Sequence, residues 1–354
     1  MNQENENISK PRKPGFYLAL AALLLVVGVV MLGSFTRLVD AGLGCPDWPG
    51  CYGHLLWPDE ADEIVAANRA FPDTPVLQDK TWPEMVHRYF AGTLGLLVLG
   101  LAVIAFRNRK TEGYPFRLPM FMFLLIVWQA IFGMWTVTWK LWPQIVTTHL
   151  MGGVTTFALI AVLAFRLNDN WRVSETAVKL IGSLRPAIFA GLAIVFLQVF
   201  LGGWVASNYA AVACPDFPKC QLEWIPEMDF AAGFNFAQQV GPNYLGGRLD
   251  GDARTAIHFA HRIGALVTTL YLLVLAAAMY RKKSKPLSVM ASIMLSLLAV
   301  QIALGITNVY WSIPLGVAVA HNFVGALLVA VMAVIWMQGA PLKPDQPEQE
   351  NGYI

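Results

Sequence analysis

Eight long apolar segments constrain this chain more than any other feature of its sequence. Crossing the roughly 30 Å hydrocarbon layer of a membrane takes about 20 helical residues. Segments of about that length lie near residues 16–37, 83–106, 117–138, 144–167, 186–207, 253–280, 287–310 and 316–337. Of the 354 residues, 56% are hydrophobic and only 14% are charged, against about 25% charged in soluble domains. The sequence therefore predicts an all-α, polytopic membrane protein with eight transmembrane helices.

The placement of lysine and arginine predicts how these segments lie in the membrane. Basic residues cluster at both termini and in every second connection, for example at Arg107, Arg109 and Lys110. Such clusters mark the cytoplasmic side, so we expect both termini to be cytoplasmic. The N-terminus contains Glu4 and Glu6 and does not resemble a mitochondrial presequence, which favours a bacterial inner membrane. The net charge of +2 reflects this orientation and does not point to nucleic acid.

The second half of the chain repeats the first. CPDWPGC, from Cys45 to Cys51, returns 169 positions later as CPDFPKC, from Cys214 to Cys220. Further matches join Leu32-Gly33 to Leu201-Gly202 at the same offset, and Gln129, Gly133 and His149 to Gln301, Gly305 and His321 at an offset of 172. Four segments in each repeat give both halves the same orientation. The expected architecture is two four-helix bundles related by a pseudo-two-fold axis along the membrane normal.

This repeat divides the chain into five parts. A cytoplasmic tail over 1–15 precedes the first bundle, 16–167, and a basic cytoplasmic linker is expected over 168–185. The second bundle follows over 186–337, and a second cytoplasmic tail covers 338–354.

Four histidines lie at one depth in the predicted membrane helices. They stand four to eight residues inside the outer ends of the even-numbered segments: His87, His149, His261 and His321. That depth is about 6–12 Å at 1.5 Å per residue, so each bundle can bring two imidazoles face to face. One such histidine alone is more often a helix cap or packing contact. Two repeated pairs favour a cofactor, and two imidazoles suit a haem iron better than zinc, which usually takes four ligands.

The repeat breaks three positions before the first of these histidines. Glu84 corresponds to His258 in the second half, and it lies on the same helix face as His87. A carboxylate there is expected to face whatever His87 binds and favours catalysis in the first half, although a charge that stabilises the helix N-terminus is the alternative. Arg88 and Arg262 follow their histidines, and either haem propionates or lipid headgroups would suit them.

Each CPD-aromatic-P-x-C loop places two cysteines on the outer, oxidising side of the membrane. A disulfide within each loop is expected, Cys45 with Cys51 and Cys214 with Cys220. Both a structural staple and a redox-active pair are compatible with this arrangement. A zinc site that includes His54 would have too few ligands.

Taken together, these motifs resemble a known family. GSFTRLVDAGLGCPDWPGC, EMVHRYFAGTLG, TTHLMGG, AIHFAHRIGAL and AHNFVGALL are similar to the motifs of the haem A synthases of cytochrome oxidase assembly, and the resemblance extends from the first segment to the eighth. It implies oxidation of a ring methyl group of haem O to the formyl group of haem A. The reaction would proceed by successive hydroxylations, with water as the oxygen source and an undefined electron acceptor.

The resemblance also implies roles for particular residues. The substrate haem would lie between His87 and His149, with Glu84 as the catalytic carboxylate. A haem b cofactor would lie between His261 and His321. The family's functionally important disulfide corresponds to Cys45 and Cys51, whereas many members lack the second cysteine pair. The acidic stretch at 59–80 departs from the family's shorter loops and has no assigned role.

Partners follow from the same resemblance. Haem O is the expected substrate, with the farnesyltransferase that makes haem O as its donor and membrane lipid as the surrounding medium. The sequence leaves open whether the chain forms a homo-oligomer. Without the resemblance, a dihaem b-type electron-transfer protein is the main alternative. A transporter is a weaker one because the ionisable residues lie at the rim of the membrane rather than at its midplane.

Overall fold

The computed structural model describes residues 11–340, and every named element in that range is helical. Eight helices are long and apolar enough to cross a membrane: α1 (Phe16–Leu38), α3 (Gln78–Arg107), α4 (Arg117–Thr138), α5 (Pro143–Leu167), α6 (Glu175–Ser207), α8 (Gly251–Arg281), α9 (Lys285–Tyr310) and α10 (Leu315–Gln338). Two short helices, α2 (Ala61–Ala70) and α7 (Phe230–Gly233), lie in the loops between α1 and α3 and between α6 and α8. The predicted polytopic all-α fold is confirmed. Most of the tails predicted over 1–15 and 338–354 lies outside the described residues.

Two helices begin before the apolar segments that predicted them, near 83–106 and 186–207. A proline stands at the start of each segment, Pro83 and Pro186, and at a helix start its missing N–H costs least. Instead α3 begins at Gln78 and α6 at Glu175, and each proline lies inside its helix. The Ser174 side chain accepts a hydrogen bond from the amide of Ala177 and caps α6. The second part of the linker predicted over 168–185 is therefore helical.

Within each half, the four long helices form a ring. In the first half α1 and α4 each pack against both α3 and α5. In the second half α6 and α9 each pack against both α8 and α10. Over the described residues, α3 makes no direct packing contact with α5, and α8 makes none with α10. The helices that carry the four histidines thus occupy diagonal positions, separated by the other two helices of their ring.

The two rings meet along α5 and α10. These two helices pack against each other, α1 packs against α10, and α6 packs against α5 in the symmetrical position. Of the most apolar window of each helix, 61% of residues are buried in α5 and 50% in α10, against 17–33% in the other six. The six less buried helices face the surrounding lipid, and the apolar core is continuous through both rings. This arrangement agrees with the predicted pseudo-two-fold axis.

The two outer cysteine loops fold alike. Each contains the expected disulfide, Cys45–Cys51 and Cys214–Cys220. In the first loop the Asp47 carboxylate accepts hydrogen bonds from the amides of Tyr52 and Gly53, at 2.6 and 2.8 Å. In the second, Asp216 accepts from the amides of Gln221 and Leu222, at 2.6 and 2.9 Å. The aspartate of each CPD motif therefore closes its loop.

The acidic stretch at 59–80 covers the first cysteine loop. Ala67 of α2 is buried in one apolar cluster with the disulfide and Tyr52. The Tyr52 hydroxyl donates to the carbonyl oxygens of Thr74 and Pro75, at 3.0 and 3.2 Å. Burial raises the pKa of this hydroxyl, and the negative charges of Asp47 and Glu84 raise it further, so Tyr52 remains a donor. The insert buries the first disulfide.

Candidate functional site

The four histidines form two pairs, one in each helical ring. His87 on α3 and His149 on α5 lie within electrostatic range of each other, as do His261 on α8 and His321 on α10. Each of the four side chains remains partly accessible. Because the helices of a pair do not touch, the imidazoles approach each other across the centre of the ring. The structure therefore brings together the residues that equal sequence depth had paired.

Each imidazole contacts a glycine on a neighbouring helix. A methyl group built on these glycines would lie 2.9–3.3 Å from Cε1 of the ring. The pairs are Gly33 with His87, Gly133 with His149, Gly202 with His261 and Gly305 with His321. At Gly33 a methyl group would force the imidazole to shift, and at the other three glycines it would make an unusually tight contact. Sequence analysis found these four glycines as matches of the repeat but did not connect them with the histidines, because the contact joins different helices.

Glu84 connects α3 to the first cysteine loop. Its side chain is buried, with 5% of the residue exposed. One carboxylate oxygen accepts a hydrogen bond from the amide of Cys45 at 3.0 Å, and the other accepts from Arg88 at 2.5 Å. Both oxygens thus have protein partners one helical turn from His87. The sequence suggested two roles for Glu84, catalysis and stabilisation of the helix N-terminus. The structure adds a third role, which is to anchor the cysteine loop.

The corresponding position in the second half carries a hydrogen-bond donor instead of an acceptor. His258 is buried, and its Nδ1 lies 3.1 Å from the carbonyl oxygen of Ala210, to which a protonated Nδ1 donates. Glu84 accepts a hydrogen bond from a loop amide, whereas His258 faces a loop carbonyl. The difference seen in the sequence is therefore a change from an acceptor with a negative charge to a neutral donor.

Both arginines bind the cysteine loop above them. Arg88 donates to the carbonyl oxygens of Gly50 and Asp47, at 2.6 and 3.1 Å. Arg262 donates to the carbonyl oxygens of Lys219 and Cys214, at 2.7 and 2.9 Å. Each arginine therefore anchors a cysteine loop. The sequence had suggested only haem propionates or lipid headgroups as partners. Nε of Arg262 is buried without a hydrogen-bond partner, so one donor is free for a further acceptor.

Glutamine side chains contact the histidines of the second half. Nε2 of Gln198 lies 3.1 Å from Nδ1 of His261, and Nε2 of Gln301 lies 3.3 Å from Nε2 of His321. Nδ1 of His87, His149 and His321 is buried and makes no hydrogen bond of normal geometry. Sequence analysis missed Gln198 because it has no matching residue in the first half.

These features fit a haem in each ring better than a bare metal ion. No group of three or more His, Cys, Asp or Glu side chains among residues 11–340 is arranged to hold a metal ion. All four cysteines are in disulfides, so they offer no thiolate ligand. A haem supplies four nitrogen ligands itself and needs only one or two from the protein. Paired imidazoles with unused ring nitrogens in an apolar ring of helices meet that need.

Fold and site together define a duplicated eight-helix membrane protein with an imidazole pair in each half. Comparison with known proteins agrees with this class. The model of the COX15-CtaA family, described as cytochrome oxidase assembly protein, matches residues 16–333, and the chain belongs to this family. The family expected from the sequence motifs is thereby confirmed.

Curated relatives named Heme A synthase match most of this chain. A protein named Heme A synthase from Shewanella oneidensis is 43% identical over 320 residues, which cover 90% of this chain and 94% of the relative. Proteins of the same name from Erythrobacter litoralis and Halalkalibacterium halodurans are 29% and 24% identical, over 86% and 88% of this chain and 91% and 92% of the relatives. The similarity therefore extends over nearly the full length of each relative.

Proposed function

We propose that this chain is a haem A synthase, an oxidoreductase that converts haem O into haem A. The observation that carries the proposal is the imidazole pair in each ring, combined with the exchange of Glu84 for His258 between two otherwise matching sites. Family membership and the printed name of the relatives support the same activity. One site would hold the substrate, and the other a resident cofactor.

The first ring is the proposed substrate site. His87 and His149 would hold the iron of haem O, and Gly33 and Gly133 contact the two imidazoles and position them. Each oxidation step adds one water oxygen to the ring methyl group and releases two protons and two electrons. Two such steps give a gem-diol, which loses water to form the formyl group. Glu84, one turn from His87, accepts a proton in these steps.

The second ring is the proposed cofactor site, held by His261 and His321. Haem b bound there supplies a one-electron redox centre beside the substrate site. The chain's contribution is the ligand pair, the apolar surroundings and Arg262, whose free Nε suits a propionate. We assign 16–167 to the substrate half and 186–337 to the cofactor half.

The remaining proposals concern surroundings and partners. We place the chain in a bacterial inner membrane with both termini cytoplasmic, because lysine and arginine cluster in every second connection. Both disulfides then lie on the oxidising side. The farnesyltransferase that makes haem O is the proposed donor.

Haem analysis tests the function directly. The full-length chain is produced in a bacterial host without its own haem A synthase, with and without co-expression of the enzyme that makes haem O. Haems extracted from the purified protein are then separated by chromatography. We expect haem A only when haem O is supplied. Haem b alone under both conditions would indicate the b-type electron-transfer alternative, and absence of any haem would indicate a transporter.

Substitution of Gly33 by alanine should weaken haem binding in the first ring. The new methyl group would lie 2.9 Å from Cε1 of His87, so the ring must shift. Overpacking of this kind costs about 1–3 kcal/mol, and about 1.4 kcal/mol corresponds to tenfold weaker binding. The purified protein is titrated with haem, and the Soret absorption of the first site is recorded at each addition.

Gly28 offers a matched control on the same helix. A methyl group there would lie 3.5 Å from the Phe90 ring, which is an ordinary contact. Gly28→Ala should therefore bind haem like the unmodified chain. Equal losses in both variants would show that α1 tolerates no added methyl group and would remove the specific role given to Gly33.

A further inference from the structure

Each cysteine loop carries exposed apolar side chains shortly after its disulfide. The first apolar tip consists of Leu55 and Leu56, and the second apolar tip consists of Leu222, Trp224 and Ile225. More than half of each of these residues is exposed, although the disulfides behind them are buried. Large apolar side chains that are exposed together mark surfaces that contact a membrane or another protein.

The repeat places the two apolar tips at equivalent positions. Leu55 and Leu56 correspond to Trp224 and Ile225 at the same offset of 169 that relates the two CPD motifs. In each loop, two main-chain hydrogen bonds close a turn that begins at the second cysteine. The side chains are not identical, but large apolar residues stand at these positions in both halves. The exposed tip is therefore a property of both loops rather than an accident of one.

Two tyrosines hold the loops beside the lipid-facing surface of the helices. The hydroxyl of Tyr89, on α3, donates a hydrogen bond to the carbonyl oxygen of Leu55. The hydroxyl of Tyr310, at the end of α9, donates to the carbonyl oxygen of Phe217 at 3.1 Å. Both tyrosines are exposed on helices that can cross the membrane, and tyrosine is enriched where such helices meet water. The loops thus reach the boundary between lipid and water.

The second apolar tip also has a cation beside its aromatic ring. Nζ of Lys219 lies 5.9 Å from the centroid of the Trp224 ring. Tryptophan rings lie at the headgroup level of membranes, and a lysine ammonium can extend to the lipid phosphates. Lysine is depleted from the cores of protein–protein interfaces. This pair therefore suits a lipid surface better than a protein partner.

We propose that both cysteine loops insert their apolar tips into the outer lipid interface, so that membrane lipid is the partner of this surface. Insertion removes the apolar area of each tip from water, which is favourable in proportion to that area. The hydrogen bond from the tyrosine below each loop holds the loop at the level where its tip meets the lipid.

Lipid contact at the first apolar tip also bears on the proposed active site. The same loop provides the amide of Cys45 that donates to Glu84 and the carbonyl oxygen of Gly50 that accepts from Arg88. A loop attached to lipid at its tip keeps both partners in place. This consequence rests on the proposed function, whereas the insertion itself does not.

Fluorescence from a single labelled cysteine tests the insertion. The sequence contains four cysteines, and all four are in disulfides, so Leu55→Cys and Leu222→Cys each add one free thiol to the full-length chain. The bimane-labelled chain is placed in vesicles of phosphatidylethanolamine and phosphatidylglycerol. Quenching by nitroxide-bearing lipid is then compared with quenching by iodide in the water. Asp73→Cys is the control, because Asp73 is exposed in the acidic stretch of the first loop.

The ratio of lipid quenching to iodide quenching gives the expected result. Burial of a large apolar side chain favours the inserted position by about 10-fold or more, so the ratio at both tips should exceed that at Asp73→Cys by at least about 10-fold. A charge in the tip should reverse this, because a carboxylate resists transfer out of water. Leu56→Asp combined with Leu55→Cys, and Ile225→Asp combined with Leu222→Cys, should lower the ratio to that of the control.

Every other pattern contradicts the insertion. Iodide quenching at the tips as strong as at Asp73→Cys would place them in water, where a soluble partner is the alternative. Protection from both quenchers would show that protein covers the tips, as in contact with a second copy of the chain. A ratio that stays high in the aspartate variants would assign the quenching to nearby lipid rather than to insertion. A high ratio at one tip alone would overturn the proposal for the other loop.

The test is independent of haem chemistry. Mass analysis of each denatured labelled chain should show both native disulfides intact, which confirms that the loops have formed. If the unmodified chain makes no haem A when haem O is supplied, the proposed function fails. The quenching ratios would still decide whether the tips enter lipid, so the two failures are separate outcomes.

Discussion

Replacement of Glu84 by glutamine is expected to abolish haem A formation while haem binding persists. General acid–base groups contribute about 10²- to 10⁴-fold to rate, so we expect at least a 100-fold loss. Glutamine retains an oxygen that can accept the hydrogen bond from the Cys45 amide. It loses the negative charge that pairs with Arg88 and with it the ability to take up a proton. The measurement is the ratio of haem A to haem O extracted from the purified variant.

The structure requires a control for the cysteine loop, because Glu84 also anchors that loop. Thiol labelling of the denatured variant should show the Cys45–Cys51 disulfide intact, and the haem b content should be unchanged. Asp79 lies on the same helix with 73% of its side chain exposed, and Asp79→Asn should have normal activity. Normal haem A output from Glu84→Gln would refute the catalytic role. Loss of the disulfide in that variant would assign the effect to loop anchoring instead.

Replacement of His261 by leucine should remove the resident haem and leave the first ring able to bind haem O. Replacement of His87 should have the converse effect, because each imidazole belongs to a different ring. Loss of a hydrogen-bond partner of a metal ligand costs about 10- to 100-fold in metal affinity, and loss of a ligand itself should cost at least about 100-fold. The measurement is the amount of each haem per protein, determined from the pyridine complexes and by chromatography.

His54 provides the control for these two variants. It lies in the outer loop, where Nδ1 is 3.7 Å from Oε1 of Glu63, away from both imidazole pairs. His54→Leu should keep both haems. Haem b missing from His87→Leu but present in His261→Leu would reverse the assignment of the halves. Loss of both haems in each variant would indicate that the two rings do not bind independently.

Much of the fold could be predicted from the sequence because the relevant signals are local or periodic. Segment length and hydropathy determine which stretches cross a membrane, and the repeat places the matching helices in order. α3 and α6 begin before the predicted apolar segments because the turns that precede each segment are more polar and carry no membrane signal. Pro83 lies in α3, which begins five residues earlier, at Gln78.

The candidate site could be predicted only in part. The histidine pairs followed from equal depth on helices that run in the same direction. The acidic stretch at 59–80 had no predicted role, since its burial of the first disulfide depends on a fold-back over the loop. The repeat did not single out Gln198, because Val29 stands at the equivalent position of the first half. Glu84 was expected to face only the group that His87 binds. Its contact with the Cys45 amide joins residues 39 positions apart.

The sequence by itself determined that this chain is a duplicated eight-helix membrane protein with two histidine pairs and one Glu84/His258 difference. Hydropathy, charge placement and repeat spacing are properties of the linear chain, and they are sufficient for those conclusions. Only the tertiary structure decided that the histidine helices lie diagonally, that each imidazole contacts a glycine and that Gln198 lies against His261. Those contacts depend on the rotation and packing of separate helices, which no local pattern specifies.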